Sequence, residues 1–97
     1  DILDNDYLSP INFSLNEIYP NPFNPSTEIN FSNKYLDNIS IKVYDLQGKL
    51  VSILSDKYFQ PGDHSIVWDA QNFSSGSYIV RMQSSNFESS QLITLIK

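Results

Sequence analysis

Short segments of alternating apolar and polar residues recur along this chain of 97 residues, and this period of two constrains the fold most strongly. Successive side chains of a strand point to opposite faces of a sheet, so the alternation marks strands with one buried face. Seven segments show it: 11–16, 27–32, 39–44, 49–55, 64–69, 76–84 and 87–96. No segment has the helical period. The pattern therefore predicts an all-β fold, an antiparallel β-sandwich of about seven strands and of immunoglobulin-like size.

The alternation also predicts the core. Four predicted inward faces are Thr27, Ile29 and Phe31; Ile39, Ile41 and Val43; His64, Ile66 and Trp68; and Tyr78, Val80 and Met82. Because Trp68 shares a face with Ile66, we expect it in the core rather than on a surface where it would stack a sugar ring.

Turn residues separate the segments. The stretch from Asp45 to Gly48 predicts a short hairpin loop in which Gly48 takes a positive φ. Proline followed by glycine at Pro61 and Gly62 predicts a type II turn. Residues 74–76, Ser-Ser-Gly, end the loop that follows Trp68.

The stretch YPNPFNPST, residues 19–27, has prolines at 20, 22 and 25. Proline fixes its own φ, lacks a backbone donor and favours an extended conformation in the preceding residue. We therefore expect a stiff, polyproline-like connector. It would hold the first strand against the sandwich, cross between the two sheets, or do both.

Composition excludes several classes. There is no cysteine, so disulfides and thiolate metal sites are absent. The formal net charge is −5 and the six Lys and Arg residues are scattered, which argues against nucleic acid and anionic membranes as partners. No apolar run approaches the ~20 residues of a membrane span. With no signal peptide and no initiating Met, we interpret the chain as a piece of a longer precursor, with residues 1–12 as a linker and 13–97 as the domain.

The candidates for catalysis are weak. His64 is the only histidine, and Asp63 or Asp69 would have to orient it towards a serine nucleophile. Neighbouring strand residues point to opposite faces, so Asp63 is badly placed, and no nucleophile elbow is present. We predict a structural His64, no enzyme, no cofactor and no zinc site. Asp45 and Asp69 lie beside turns, where we expect them to accept hydrogen bonds from backbone N–H groups two residues on.

Two binding hypotheses remain at this point. Four oxygen-bearing side chains near the amino terminus suggest a calcium loop: Asp1, Asp4, Asn5 and Asp6. The segment lacks the glycine and the closing glutamate that such loops use, so a solvated linker is the better interpretation. Scattered aromatics offer a weak case for glycan binding: Tyr7, Tyr19, Tyr35, Tyr44, Tyr58 and Phe59.

The motifs occur in an order that resembles a known family. In sequence they are YPNPFNPSTEINFS (19–32), IKVYDLQGKLVSIL (41–54), PGDHSIVWDAQN (61–72), SSGSYIVRMQ (74–83) and SSQLITLIK (89–97). Together they resemble the type A C-terminal sorting domain of the type IX secretion system over about residues 13–97. The matching positions, mainly structural, are Pro20, Pro22, Phe23, Pro25, Tyr44, Asp45, Gly48, Pro61, Gly62, Trp68, Asp69, Gly76 and Tyr78.

The resemblance implies a non-enzymatic export signal at the C-terminus of a cargo protein of Bacteroidetes-like bacteria. The cargo would pass through the periplasm to the type IX outer-membrane translocon. A sortase-like peptidase would remove the domain within the 1–12 region and attach the cargo to the cell surface. The resemblance places translocon recognition in the last strand, at Leu92, Ile93, Thr94, Leu95, Ile96 and Lys97.

Two alternatives stay open. Recognition would proceed either by addition of a partner strand to a sheet edge or by a fixed surface of the folded domain. Burial of Ile93 and Leu95 with exposure of Leu92 and Ile96 would favour the edge. The competing function is an immunoglobulin-like accessory or carbohydrate-binding module of a secreted hydrolase.

Overall fold

The alternating segments form seven β-strands in the computed structural model, which describes residues 13–97. The strands are β1 (Phe13–Tyr19), β2 (Ser26–Asn33), β3 (Asp37–Asp45), β4 (Leu50–Phe59), β5 (Gly62–Asp69), β6 (Gly76–Gln83) and β7 (Glu88–Leu95). The described residues contain no helix. The seven predicted strands are confirmed, although β1 and β4 extend three and four residues past the alternating segments.

The strands form two antiparallel sheets, one with the order β1-β2-β5 and one with the order β4-β3-β6-β7. The predicted all-β sandwich is confirmed. The edge strands β1 and β7 meet on one side, where the register of β1 shifts between Leu15 and Ile18. Gln91 of β7 donates its side-chain N–H groups to the carbonyls of Leu15 (3.1 Å) and Asn16 (2.6 Å) at this bulge. One glutamine thus joins the two sheets and satisfies backbone groups that the bulge leaves unpaired.

The core lies between the sheets, and three of the four predicted faces are buried in it. In the fourth face Trp68 is buried, whereas His64 and Ile66 are only half-buried. Ile29 and Phe31 from the three-stranded sheet are fully buried, as are Ile39, Ile41 and Val43 from the four-stranded sheet. On β6 the predicted inward face is confirmed by the burial of Tyr78, Val80 and Met82.

An aromatic cluster closes one end of the core. Trp68 is 2% exposed, which confirms its predicted burial. Its ring lies 5.7 Å from Phe23, 5.4 Å from Phe73 and 5.3 Å from Tyr78, measured between centroids. These separations lie in the range for favourable aromatic pairs, so the cluster adds specific geometry to the apolar area that it buries.

Two of the three predicted turns are confirmed and one is wrong in type. Gly48 has a φ of 86° in the loop between β3 and β4, and its N–H bonds the carbonyl of Asp45 at 3.0 Å. Gly76 begins β6 after residues 74 and 75, as expected. Gly62 has a φ of 140°, far from the value of about +80° that a type II turn requires. Pro61 and Gly62 instead carry the chain from β4 in one sheet to β5 in the other.

The proline segment, residues 20–25, differs from expectation in two ways. It does not cross between the sheets, because it joins β1 to β2, which are neighbours in the same sheet. Nor is it a free polyproline helix, whose backbone groups make no hydrogen bonds, because Phe23 bonds β7 through both its N–H and its C=O. The X-Pro peptide bonds at Pro20, Pro22 and Pro25 are cis. The expectation that the segment holds the sandwich together fits its contacts.

Candidate recognition site on the C-terminal strand

Strand β7 lies at an edge of the four-stranded sheet beside β6. It contains four of the six residues that the resemblance assigned to recognition, and Ile96 and Lys97 follow it. Ile93 and Leu95 are 0% and 1% exposed, whereas Leu92 and Ile96 are 57% and 53% exposed. Residues 92–96 therefore bury one face and present two large apolar side chains on the other. This is the burial pattern that would favour addition of a partner strand at the sheet edge.

The free edge of β7 is covered by the proline segment. The Phe23 N–H donates to the Thr94 carbonyl at 2.9 Å, and the Ile96 N–H donates to the Phe23 carbonyl at 3.0 Å. These two bonds form an isolated parallel bridge between Phe23 and Leu95. One residue of a loop thus occupies the place that a neighbouring strand would take.

Asn21 continues the same cover through its side chain. Its Nδ2 donates to the Leu92 carbonyl at 3.2 Å, and its Oδ1 accepts from the Thr94 N–H at 3.0 Å. A carboxamide has one donor group and one acceptor, as a peptide group has, so it can replace a strand's backbone at this position. We call Asn21 and Phe23 the edge cap. Covering an edge with a loop is a common way to prevent unwanted strand pairing.

The edge cap is held firmly by its surroundings. The Phe23 side chain is 2% exposed and packs on Trp68. The Thr27 hydroxyl donates to the Pro20 carbonyl at 2.7 Å, and the Ala70 N–H donates to the Pro25 carbonyl at 2.9 Å. Both ends of the proline segment are therefore bonded to neighbouring elements.

The terminal lysine is also bonded within the domain. The Lys97 N–H donates to the Ser75 hydroxyl at 3.0 Å, and its Nζ donates to the Gln71 carbonyl at 2.5 Å. Both contacts lie in the loop between β5 and β6. The last residues of the chain are thereby fixed in position beside the aromatic cluster.

Three other positions of the resemblance bond the backbone of turns and loops. Asp45 Oδ1 accepts from the N–H groups of Gln47 and Lys49, each at 2.9 Å, and Asp69 Oδ1 accepts from the Gln71 N–H at 3.0 Å. The predicted backbone contacts of both aspartates are confirmed. The Tyr78 hydroxyl donates to the Ser74 carbonyl at 2.6 Å, which holds the loop before β6 in place.

His64 is bound to structural groups. Its Nε2 lies 2.8 Å from the Gln60 carbonyl and 3.0 Å from Asn33 Oδ1, and its ring packs against Phe31 and Phe59. Because Asn33 Nδ2 donates to two carbonyls, its Oδ1 is the acceptor, and the Nε2 of His64 donates. This arrangement ties β5 to the end of β4.

No group of three or more His, Asp or Glu residues suited to a metal ion occurs in the described part of the chain. The calcium hypothesis at Asp1, Asp4, Asn5 and Asp6 lies outside the described residues, as does Tyr7. The exposed tyrosines belong to separate elements: Tyr19 to β1, Tyr35 to the loop after β2 and Tyr58 to β4.

The family of secretion system C-terminal sorting domains matches residues 17–96. This range includes the edge cap and all of β7. The chain belongs to this family. A comparison with curated proteins gives no match. A sorting domain of type IX secretion is a signal rather than a catalyst, and it implies an N-terminal cargo, association with the secretion system and export to the outer membrane or the extracellular space. Residues 13–97 contain no helix long and apolar enough to span a membrane.

Sequence reasoning missed Asn21 in this sorting domain. The pattern of two Asn-Pro pairs, at Asn21 and Asn24, drew attention to the segment, but only Asn21 reaches β7. The sequence contains no signal that separates the two, because the distinction arises from the path of the chain after Tyr19.

Proposed function

We propose that the translocon recognises this sorting domain as a folded module, through side chains on its surface. The observation that carries the sorting role is the family match over residues 17–96. The edge cap supports surface recognition. Four backbone groups of residues 92–96 already have partners there, so an added strand would first have to displace Asn21 and Phe23.

Leu92 on β7 and Ile96 directly after it are the proposed contacts. Both side chains are more than half exposed, while Ile93 and Leu95 face the core. An exposed apolar pair on a strand whose edge is already covered is better suited to docking of a side-chain surface than to backbone pairing. Lys97, whose ammonium group is bonded to Gln71, serves in this proposal to fix the end of the chain.

The proposal also includes cleavage of the domain and attachment of the cargo. Residues 1–12 link the domain to its cargo, and a sortase-like peptidase cuts there and attaches the cargo to the cell surface. A cut before Phe13 would leave all seven strands intact. The cargo passes through the periplasm of a Bacteroidetes-like bacterium, and the domain itself performs no catalysis.

The sandwich is proposed to be immunoglobulin-like. In support, Tyr78 near the start of β6 donates its hydroxyl to a backbone carbonyl four residues upstream, as the tyrosine corner of such domains does. The strand order differs from the constant-type domain in one strand, since β4 pairs with β3 instead of with β5. The rival function, glycan binding, is not favoured, because the exposed Tyr19 and Tyr58 belong to strands of different sheets.

The test is a fusion of a signal peptide, a reporter and residues 1–97, produced in a bacterium with a working type IX system. We expect the reporter outside the cell with the wild-type domain and in the periplasm with Leu92→Glu/Ile96→Glu. Removing residues 92–97 would be a poorer test, because it also removes the buried Ile93 and Leu95. Export of the double variant at the wild-type level would contradict recognition through these two side chains.

A further inference from the structure

A row of apolar side chains crosses the outer face of the four-stranded sheet. In the strand register, Leu50 of β4 lies beside Tyr44 of β3, Tyr44 lies beside Ile79 of β6, and Ile79 lies beside Leu92 of β7. Leu50 and Leu92, at the two ends, are 42% and 57% exposed, and the central pair is half-buried. We call these four residues the apolar stripe. At about 4.8 Å between strands, it is roughly 15 Å long.

The outer face of the other sheet has a different character. Its paired residues include three carboxylates, Glu28, Asp63 and Asp69, and no lysine or arginine. Val67 is an isolated exposed apolar side chain on that face, directly beside Glu28. The solvent face of an antiparallel sheet is usually polar. The outer face of the three-stranded sheet follows this rule, and the apolar stripe on the four-stranded sheet departs from it.

Basic residues lie beside the apolar stripe. Lys42 and Arg81 are paired in the adjacent row of the sheet. Two of the six basic residues of a chain with a net charge of −5 therefore border one patch. Glu88 forms an ion pair with Arg81, so the net positive charge comes from Lys42.

Arg81 also shapes the surface. Its guanidinium lies 6.0 Å from the ring centroid of Tyr44 and forms an ion pair with Glu88. These three residues border an open depression of about 290 Å³, which is lined by Tyr44, Gly48, Ile79, Arg81, Glu88 and Ser90. Its volume is at the lower limit for ligand pockets, which suits one inserted side chain better than a separate small molecule.

We propose that the apolar stripe docks an apolar protein surface with flanking carboxylates that belongs to the export machinery. This inference rests on the proposed sorting function and extends the recognition surface from β7 across the sheet to β4. The stripe and the depression supply shape and apolar area, and Lys42 attracts the acidic groups of the partner. Leu50, more than 40 residues before Leu92 in the sequence, is therefore part of the sorting signal.

The test compares Leu50→Glu with Val67→Glu in the reporter fusion. Both residues are exposed apolar side chains on outer faces, but only Leu50 belongs to the apolar stripe. We expect Leu50→Glu to lower the export rate about tenfold, because it puts a charge into the apolar contact, and Val67→Glu to leave it unchanged. Circular dichroism and melting of the purified domains check folding, and Leu50→Ser replaces Leu50→Glu if the latter unfolds.

A second pair tests the charge. Lys42→Glu should lower export, while Lys57→Glu, on β4 away from the stripe, should not. Equal export by Leu50→Glu and Val67→Glu would overturn the proposal while leaving the sorting function intact. Failure of the wild-type fusion to leave the cell would overturn both. If the purified domain forms a dimer that Leu50→Glu abolishes without changing export, the occupant is a second copy and the proposal is wrong.

Discussion

Replacing Asn21 by alanine removes the part of the edge cap that a side chain supplies. The change deletes two hydrogen bonds, one to the Leu92 carbonyl and one from the Thr94 N–H. A hydrogen bond contributes a net ~0.5–1.5 kcal/mol, and water can replace both of these partly because they are exposed. We therefore expect a loss of about 1–2 kcal/mol in the free energy of unfolding. For a domain of this size, each kcal/mol lowers the melting temperature by about 4–8 °C.

Urea unfolding followed by the fluorescence of Trp68, the only tryptophan, measures this loss. The control is Asn24→Ala, since Asn24 is an exposed asparagine in the same segment that also precedes a proline. Asn21→Ala also leaves backbone groups of β7 unpaired, so its dimer fraction should rise with concentration in light scattering. If the two variants have the same stability and both stay monomeric, the edge cap does not have the role assigned to it.

Other predictions concern turns and loops. Tyr78→Phe should destabilise the domain by ~0.5–1.5 kcal/mol, because it removes the bond to the Ser74 carbonyl; unchanged urea stability would refute this. Gly48→Ala should cost about 1–2 kcal/mol through the φ of 86° alone, since no atom lies within 4 Å of an added Cβ, and Gly48→Asn should cost less. The Ser85 hydroxyl donates to Asp37 at 2.6 Å, and this bond, with smaller ones from backbone N–H groups, lowers the pKa of Asp37 below its usual 3.8. Ser85→Ala should therefore be less stable than wild type at neutral pH. The difference in the free energy of unfolding should vanish as the pH falls through the folded-state pKa of Asp37. A difference that persists in unfolding series down to about pH 2 would contradict this.

The buried half of the fold was predictable because the alternation records burial directly. Thr27, Ile29 and Phe31 were assigned to the core by spacing alone, and all three are buried. Gly48 was predictable for a local reason, since a tight loop needs a residue that tolerates a positive φ. Turn-side aspartates such as Asp45 follow the same local chemistry, which a few neighbouring residues determine completely.

The candidate site was less predictable because its contacts join distant parts of the chain. Asn21 and Leu92 are 71 residues apart, and no local pattern indicates that they meet. The extension of β4 to Phe59 was missed because Asp56, Lys57 and Tyr58 on this edge strand are all exposed and show no alternation. The apolar stripe combines single residues of four strands, so it becomes visible only when the register is known.

The most direct test of the central claim is the location of the reporter fused to residues 1–97 in two otherwise identical hosts. One host has a working type IX translocon and the other lacks it. A folded sorting domain should place the reporter outside the first host and leave it in the periplasm of the second. A reporter that stays in the periplasm of both hosts, attached to a folded domain, would contradict the claim.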